Sequence, residues 1–163
     1  MDLSGQIPIQ IRRAAVNYMD DLFPEGTLVF AYTRREALID KVQFEADPIF
    51  VAEAGIKIPV YMTSRVKFRY VEFVKENIGQ DETGRLMDIL TMFRYNAKYF
   101  HSEQRQMTIE FLCQFHDSQT WLPNEKRTSF SPMHRTVSLT AEIGPKDIDD
   151  RSPAITLMIP GED

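Results

Sequence analysis

Thr136-Val137-Ser138-Leu139-Thr140-Ala141-Glu142-Ile143 alternates strictly. Val137, Leu139, Ala141 and Ile143 fall on one face of an extended chain, and Thr136, Ser138, Thr140 and Glu142 fall on the other. Such period-two patterning predicts a strand that buries one side only, the habit of antiparallel sheets. Two neighbours repeat it. In Met107–Phe115, Ile109, Phe111, Cys113 and Phe115 oppose Thr108, Glu110 and Gln114, with Leu112 the exception. In Ala154–Ile159, Ile155, Leu157 and Ile159 oppose Thr156 and Met158. The three strands are expected to form a meander-like sheet with one apolar face.

That face needs a cover, and the segment before it supplies one. Leu86, Ile89, Leu90, Phe93, Ala97 and Phe100 recur at helical spacing, which predicts an amphipathic helix of about four turns. Its polar start, Gln80–Gly84, offers Asp81 and Thr83 as caps. Further upstream, Ile11, Ala14, Ala15, Tyr18, Met19 and Leu22 predict another helix, stopped by Pro24 and Gly26. Leu28–Tyr32 has the pattern of a short buried strand. Thr33-Arg34-Arg35-Glu36 is a capping box that should start a helix running to about Asp40. Asp47-Pro48 should start the next, with Ile49, Val51 and Ala52 as its apolar side and Gly55 as its end. Ile58–Met62 suggests a short extended piece or a lead-in, and Pro59 argues for an edge. Thr63 or Ser64 then caps a helix expected from Arg65 to Ile78. The fold class that follows is α+β: one domain over residues 1–163, with several helices packed on one face of a C-terminal antiparallel sheet of three or more strands.

Composition is that of an ordinary globular chain, 43% hydrophobic and 26% charged. Nineteen cations against 24 anions leave a net charge of −5, which argues mildly against a protein built to grip phosphates. The one cysteine, Cys113, excludes an internal disulfide and a cysteine-based metal site, and its face predicts burial. No window is apolar for long enough to span a bilayer, and no basic-then-apolar leader opens the sequence, so a cytoplasmic setting without membrane contact is expected.

Chemistry is harder to find. Tyr32, Thr33, Arg34 and Arg35 put a phenol, a hydroxyl and guanidiniums at a strand-to-helix junction, a reasonable anion site, although the capping box alone explains Thr33 and Glu36. Asp81, Glu82 and Asp88, with Arg85, cluster at the start of the amphipathic helix that carries Leu86 and Phe93; they suit a cation or acid–base chemistry, or serve only to cap it. Asp147, Asp149 and Asp150 lack the spacing of a calcium loop and suggest a solvated hairpin tip. His101, His116 and His134 form no metal-ligand pattern, and neither a nucleophile elbow nor a phosphate-binding glycine loop occurs. Neither metal nor cofactor is therefore expected. Arg65, Lys67 and Arg69, interleaved with Tyr61, Phe68 and Tyr70, fit either single-stranded nucleic acid or a solvated helix face. The 20-residue connection His116–Arg135 is longer than a plain loop needs to be.

Four blocks carry a resemblance. They are Ala31–Asp40; Ala52–Val60 with Thr63; Asp81–Leu90 with Met92; and Val137–Leu139 through Ile143–Asp147 to Ala154–Asp163. In order and spacing the chain resembles a family of uncharacterised small proteins carried by plasmids, integrative conjugative elements and phages. It departs from that pattern at Met87 and Thr91, where tryptophan is usual, and in the aromatic-containing segment 116–135. The resemblance implies a cytoplasmic accessory protein of a mobile element, and it brings no catalytic residue with it. The expected function is therefore binding of a host or element-encoded protein, inhibiting a host defence or DNA-processing system. Two alternatives stay open: a ligand-binding domain or enzyme using Tyr32, Arg34, Arg35, Asp81, Glu82, Arg85 and Asp88, and a nucleic-acid-binding protein.

Overall fold

The computed structural model describes residues 32–72, 80–101, 103–115 and 119–162. The helix expected over 10–23, and the strand expected at Leu28–Tyr32 except for Tyr32 itself, lie outside these residues. Within them, the Thr33 capping box opens α1 (Arg34–Ile39): the Glu36 amide donates to Thr33 Oγ1 at 3.1 Å and the Thr33 amide donates to the Glu36 carboxylate at 2.7 Å. β1 (Gln43–Glu45) leads to α2 (Pro48–Glu53), which Asp47 caps and Gly55 closes at φ +79°. β2 (Val60–Thr63) runs into α3 (Ser64–Val66) and a π-turn (Lys67–Val71). Then come α4 (Glu82–Asn96), β3 (Gln106–Gln114), β4 (Glu125–Arg127), β5 (His134–Asp147) and β6 (Asp150–Met158).

The six strands form one mixed sheet in the order β1-β2-β6-β5-β3, with β4 also paired to β5. The three expected strands are present, and β5 lies between β3 and β6, antiparallel to both. Their apolar faces, together with Val60 and Met62, close on Leu86, Ile89, Leu90, Phe93, Ala97 and Phe100 in one buried cluster. All six apolar positions expected of that helix are buried, although α4 ends at Asn96, Ala97 lies in a 3-10 turn (Ala97–Tyr99) and Phe100 is already extended. Each large side chain fully removed from water here stabilises by about 1.5–3 kcal/mol before conformational entropy is charged against it.

Several expectations need correcting. β2 is an interior strand, antiparallel to β1 and parallel to β6. Pro59 does not force an edge because it precedes the strand; its carbonyl accepts the Ile155 amide at 3.0 Å, and its missing N–H falls outside the ladder. The helix expected from Arg65 to Ile78 ends early. Glu72 is already extended (φ −67°, ψ 131°), and residues 73–79 lie outside the described ones. On α2, Val51 is buried, but Ile49 is 72% exposed and Ala52 is also exposed. The sheet is not wholly C-terminal either, since β1 and β2 come from the first 63 residues. Helices gather on one face only in part: α4, Val51 of α2 and Val66 of α3 share the apolar cluster, whereas Arg34 of α1 reaches Thr156 on the other side.

Candidate functional site

Two charged features that stood apart in the sequence turn out to be partners. Asp147, at the end of β5, accepts the Arg34 and Arg35 amides at 3.1 Å each, and the Ile148 amide at 2.9 Å. The anion at the start of α1 is thus the protein's own carboxylate. Burial raises the Asp147 pKa, but those three amides and the nearby Arg35 charge outweigh it and hold the group below its ordinary value. The Arg34 guanidinium lies over the Tyr61 ring, 4.2 Å from its centre, and donates to the Lys146 carbonyl, Gln43 and Thr156. Arg35 meets Asp149 at 3.5 Å, with both side chains largely in solvent, a pair of little energetic weight. The Tyr32 hydroxyl donates to Asp40 at 2.7 Å. Asp147→Ala should cost about 1–2 kcal/mol in urea unfolding at neutral pH. Because the folded-state pKa is depressed, the difference from wild type should vanish as pH falls through the carboxylate range.

The acidic cluster at the start of α4 separates into distinct jobs. Asp81 is the N-cap and accepts the Gly84 amide at 2.6 Å; a Cβ on Gly84 would come within 3.2 Å of that same oxygen. Glu82 is exposed, at the rim of a cavity of about 270 Å³ that Phe44, Phe50, Met62 and Leu86 also line. Arg85 is only 6% exposed; it donates to the Gln114 carbonyl and to Gln80, and lies 5.9 Å from the Phe115 ring centre. Asp88 faces a groove of about 450 Å³ between α4 and β3, lined by Met87, Thr91, Met92, Glu110, Phe111, Leu112 and Thr136. Partial burial there raises its carboxyl pKa above the ordinary value.

The two candidate groups do not share a pocket. Thr156 and Tyr61, which hold Arg34, pair in register and alternate with Ile155, Leu157, Val60 and Met62, the residues that face α4. The sheet therefore lies between Arg34 and Arg85.

A third cluster was missed from the sequence. The Glu125 side chain has no solvent exposure. Its carboxylate accepts Arg69 at 2.5 and 3.0 Å, Tyr70 Oη at 2.8 Å, Arg135 at 2.7 Å and the Leu122 amide at 3.1 Å. Arg135, 2% exposed, also donates to the Gln119 and Thr120 carbonyls and stacks over Trp121 at 3.9 Å and Phe115 at 4.4 Å. Burial pushes the Glu125 pKa up, but the Arg69, Arg135, Tyr70 and Leu122 donors prevail and lower it. Burial, reinforced by Glu125, drives the Tyr70 hydroxyl far above its usual range, so it stays a donor. This knot orders the long connection after residue 118. Its hydrogen-bonded pairs are separated by as many as 56 positions in the chain, so no local motif announces it.

The basic stretch is likewise engaged internally. Arg65 approaches Glu162 at 3.6 Å, Lys67 sits over the Phe44 ring at 5.1 Å, and Arg69 turns inward to Glu125. Among the described residues, no group of three His, Cys, Asp or Glu is placed to hold a metal ion. Cys113 is buried, and desolvation pushes its thiol up to about 11. Native protein at pH 8 should therefore react with Ellman's reagent far more slowly than protein unfolded in guanidinium.

These features define an α+β protein with a mixed sheet, one helix across its apolar face, and a lined groove beside the outer strand β3. No helix among the described residues is long and apolar enough to cross a membrane. No family model, curated protein or solved structure matches the chain.

Proposed function

We propose that this protein acts by binding another protein, as a cytoplasmic accessory protein of a mobile element that inhibits a host defence or DNA-processing partner. The observation that supports binding is a second stripe along α4 and the 3-10 turn that follows it (Ala97–Tyr99), beside the buried one. Asp88, Met92, Tyr95 and Tyr99 recur at helical spacing, and Tyr95 and Tyr99 are 56% and 61% exposed. The two tyrosine rings meet edge to face at 6.4 Å, with the Lys98 ammonium over both. Tyrosine and methionine set on a rigid helix are the side chains that interfaces favour, since they offer large contact areas and the tyrosines lose little conformational entropy. The mobile-element setting rests on the sequence resemblance alone.

Affinity capture from host lysate should recover one protein at about 1:1 stoichiometry, and Tyr95→Ala with Tyr99→Ala should reduce its recovery. Recovery of no protein, together with a nucleotide or metal that co-purifies, would overturn this reading in favour of a ligand-binding domain. Tight, salt-dependent binding of single-stranded DNA would favour the nucleic-acid alternative.

A further inference from the structure

We infer that the open edge of β3 and the groove under α4 form a docking site for an extended, basic segment of a partner protein, which would join the sheet as an added strand. The inference rests on the protein-binding reading and gives it a surface and a partner chemistry.

Backbone direction carries the first step. The Phe115 amide bonds to the Met133 carbonyl and the Ile143 amide to the Arg105 carbonyl. Both bonds match the register that pairs Gln106 with Glu142 and Gln114 with His134, so odd-numbered residues of β3 exchange hydrogen bonds with β5. Even-numbered residues point their N–H and C=O away from β5. Gln114 demonstrates this: its amide donates to Gln80 Oε1 at 3.3 Å, and its carbonyl accepts Arg85. The same parity turns the backbone groups of Thr108, Glu110 and Leu112 outward. No described residue bonds to the outward-facing backbone groups of these three. Gln80 and Arg85 close one end of the edge, and the remainder meets no backbone partner among the described residues.

The side chains beside that edge carry the second step. An added strand would place alternate residues on opposite sides of the sheet. One set would meet Met87, Met92 and Phe111 beneath α4, with Asp88 at the rim; the other would lie beside Leu112, Thr136 and Glu110. Apolar residues suit the methionine-lined side. Glu110 and Asp88 are both exposed, and no cation is among the lining residues, so Lys or Arg in the incoming segment gains opposite charge on both sides. A second copy of this chain suits the edge poorly. It carries a net charge of −5 and would bring another Glu110 and Asp88 to the same groove.

The test uses the full chain and a defined probe, acetyl-Lys-Val-Arg-Val-Lys-Val-amide. Amide exchange by NMR should be fast at Thr108, Glu110 and Leu112 in the free protein and slow at Ile109, Phe111 and Cys113. The probe should protect the first set. Asp88→Lys and Glu110→Lys, both surface changes, should each weaken the probe by about tenfold or more. N-methylation of alternate probe residues should abolish binding, because it removes the ladder donors. Equal binding of a probe with Glu in place of Lys and Arg, or indifference to N-methylation, overturns the proposal. So does a dimer in sedimentation that Glu110→Lys disrupts, which would assign the edge to self-association. A 1:1 lysate partner that binds both variants as tightly as wild type removes this site and leaves the protein-binding reading standing.

Discussion

Glu125→Ala should destabilise the protein by about 3–5 kcal/mol, measured as a fall in the urea midpoint at neutral pH. The buried pair adds little net stability against an apolar replacement; the loss arises from what the truncation leaves behind. Arg135 would keep its charge at 2% exposure, without its carboxylate, and Tyr70 and the Leu122 amide would lose their acceptor. Changing Glu125→Leu together with Arg135→Met should cost markedly less than the single Glu125→Ala change, since the most deeply buried charge leaves with its partner and the remaining guanidinium, Arg69, keeps 20% of its side chain in solvent. The pH dependence follows the same group. The folded-state pKa of Glu125 is depressed, so its contribution is complete above the unfolded value near ~4.3 and is lost as pH falls below it. Wild type should therefore lose stability more steeply on acidification than Glu125→Gln. Parallel slopes would show that Glu125 is not ionised in the native state.

Phe93→Ala should cost a similar about 3–5 kcal/mol, read from the same urea curves. Phe93 is 2% exposed at the centre of the α4 stripe, within the cluster that includes Ile89, Leu139 and Leu157. Removing the ring leaves a cavity that close-packed neighbours only partly fill. Tyr95→Ala, two residues along the same helix but 56% exposed, should stay within about 0.5 kcal/mol. The contrast separates the stripe that holds the fold from the stripe offered to a partner. A large stability loss for Tyr95→Ala would show that the outer stripe belongs to the core.

Much of the site's raw material was legible in the residues, but its arrangement was not. The capping residues Thr33, Asp47 and Asp81 each bond where the sequence places a cap, because capping spans only two or three positions. Arg85 and Asp88 were singled out together for their charge. The fold sends one to the Gln114 carbonyl and the other to the rim of a groove, because helix positions three apart sit one above the other but still differ in depth. Glu125 carried no signal at all, since a lone Glu in a polar loop looks the same whether solvated or sealed.

What local patterning determines here is the set of elements: the three long strands, α4 with the six buried apolar positions on it and just past its end, and the caps, all of which follow from periods of 2 and about 3.6 residues along one segment. Long-range pairing decides the rest. Asp147 finds the start of α1 across 113 positions, β2 slots beside β6, and Arg69 meets Glu125 across 56. A carboxylate's partner is chosen by whichever donors the closed chain leaves near it in low dielectric, and no periodicity within a single segment encodes that choice.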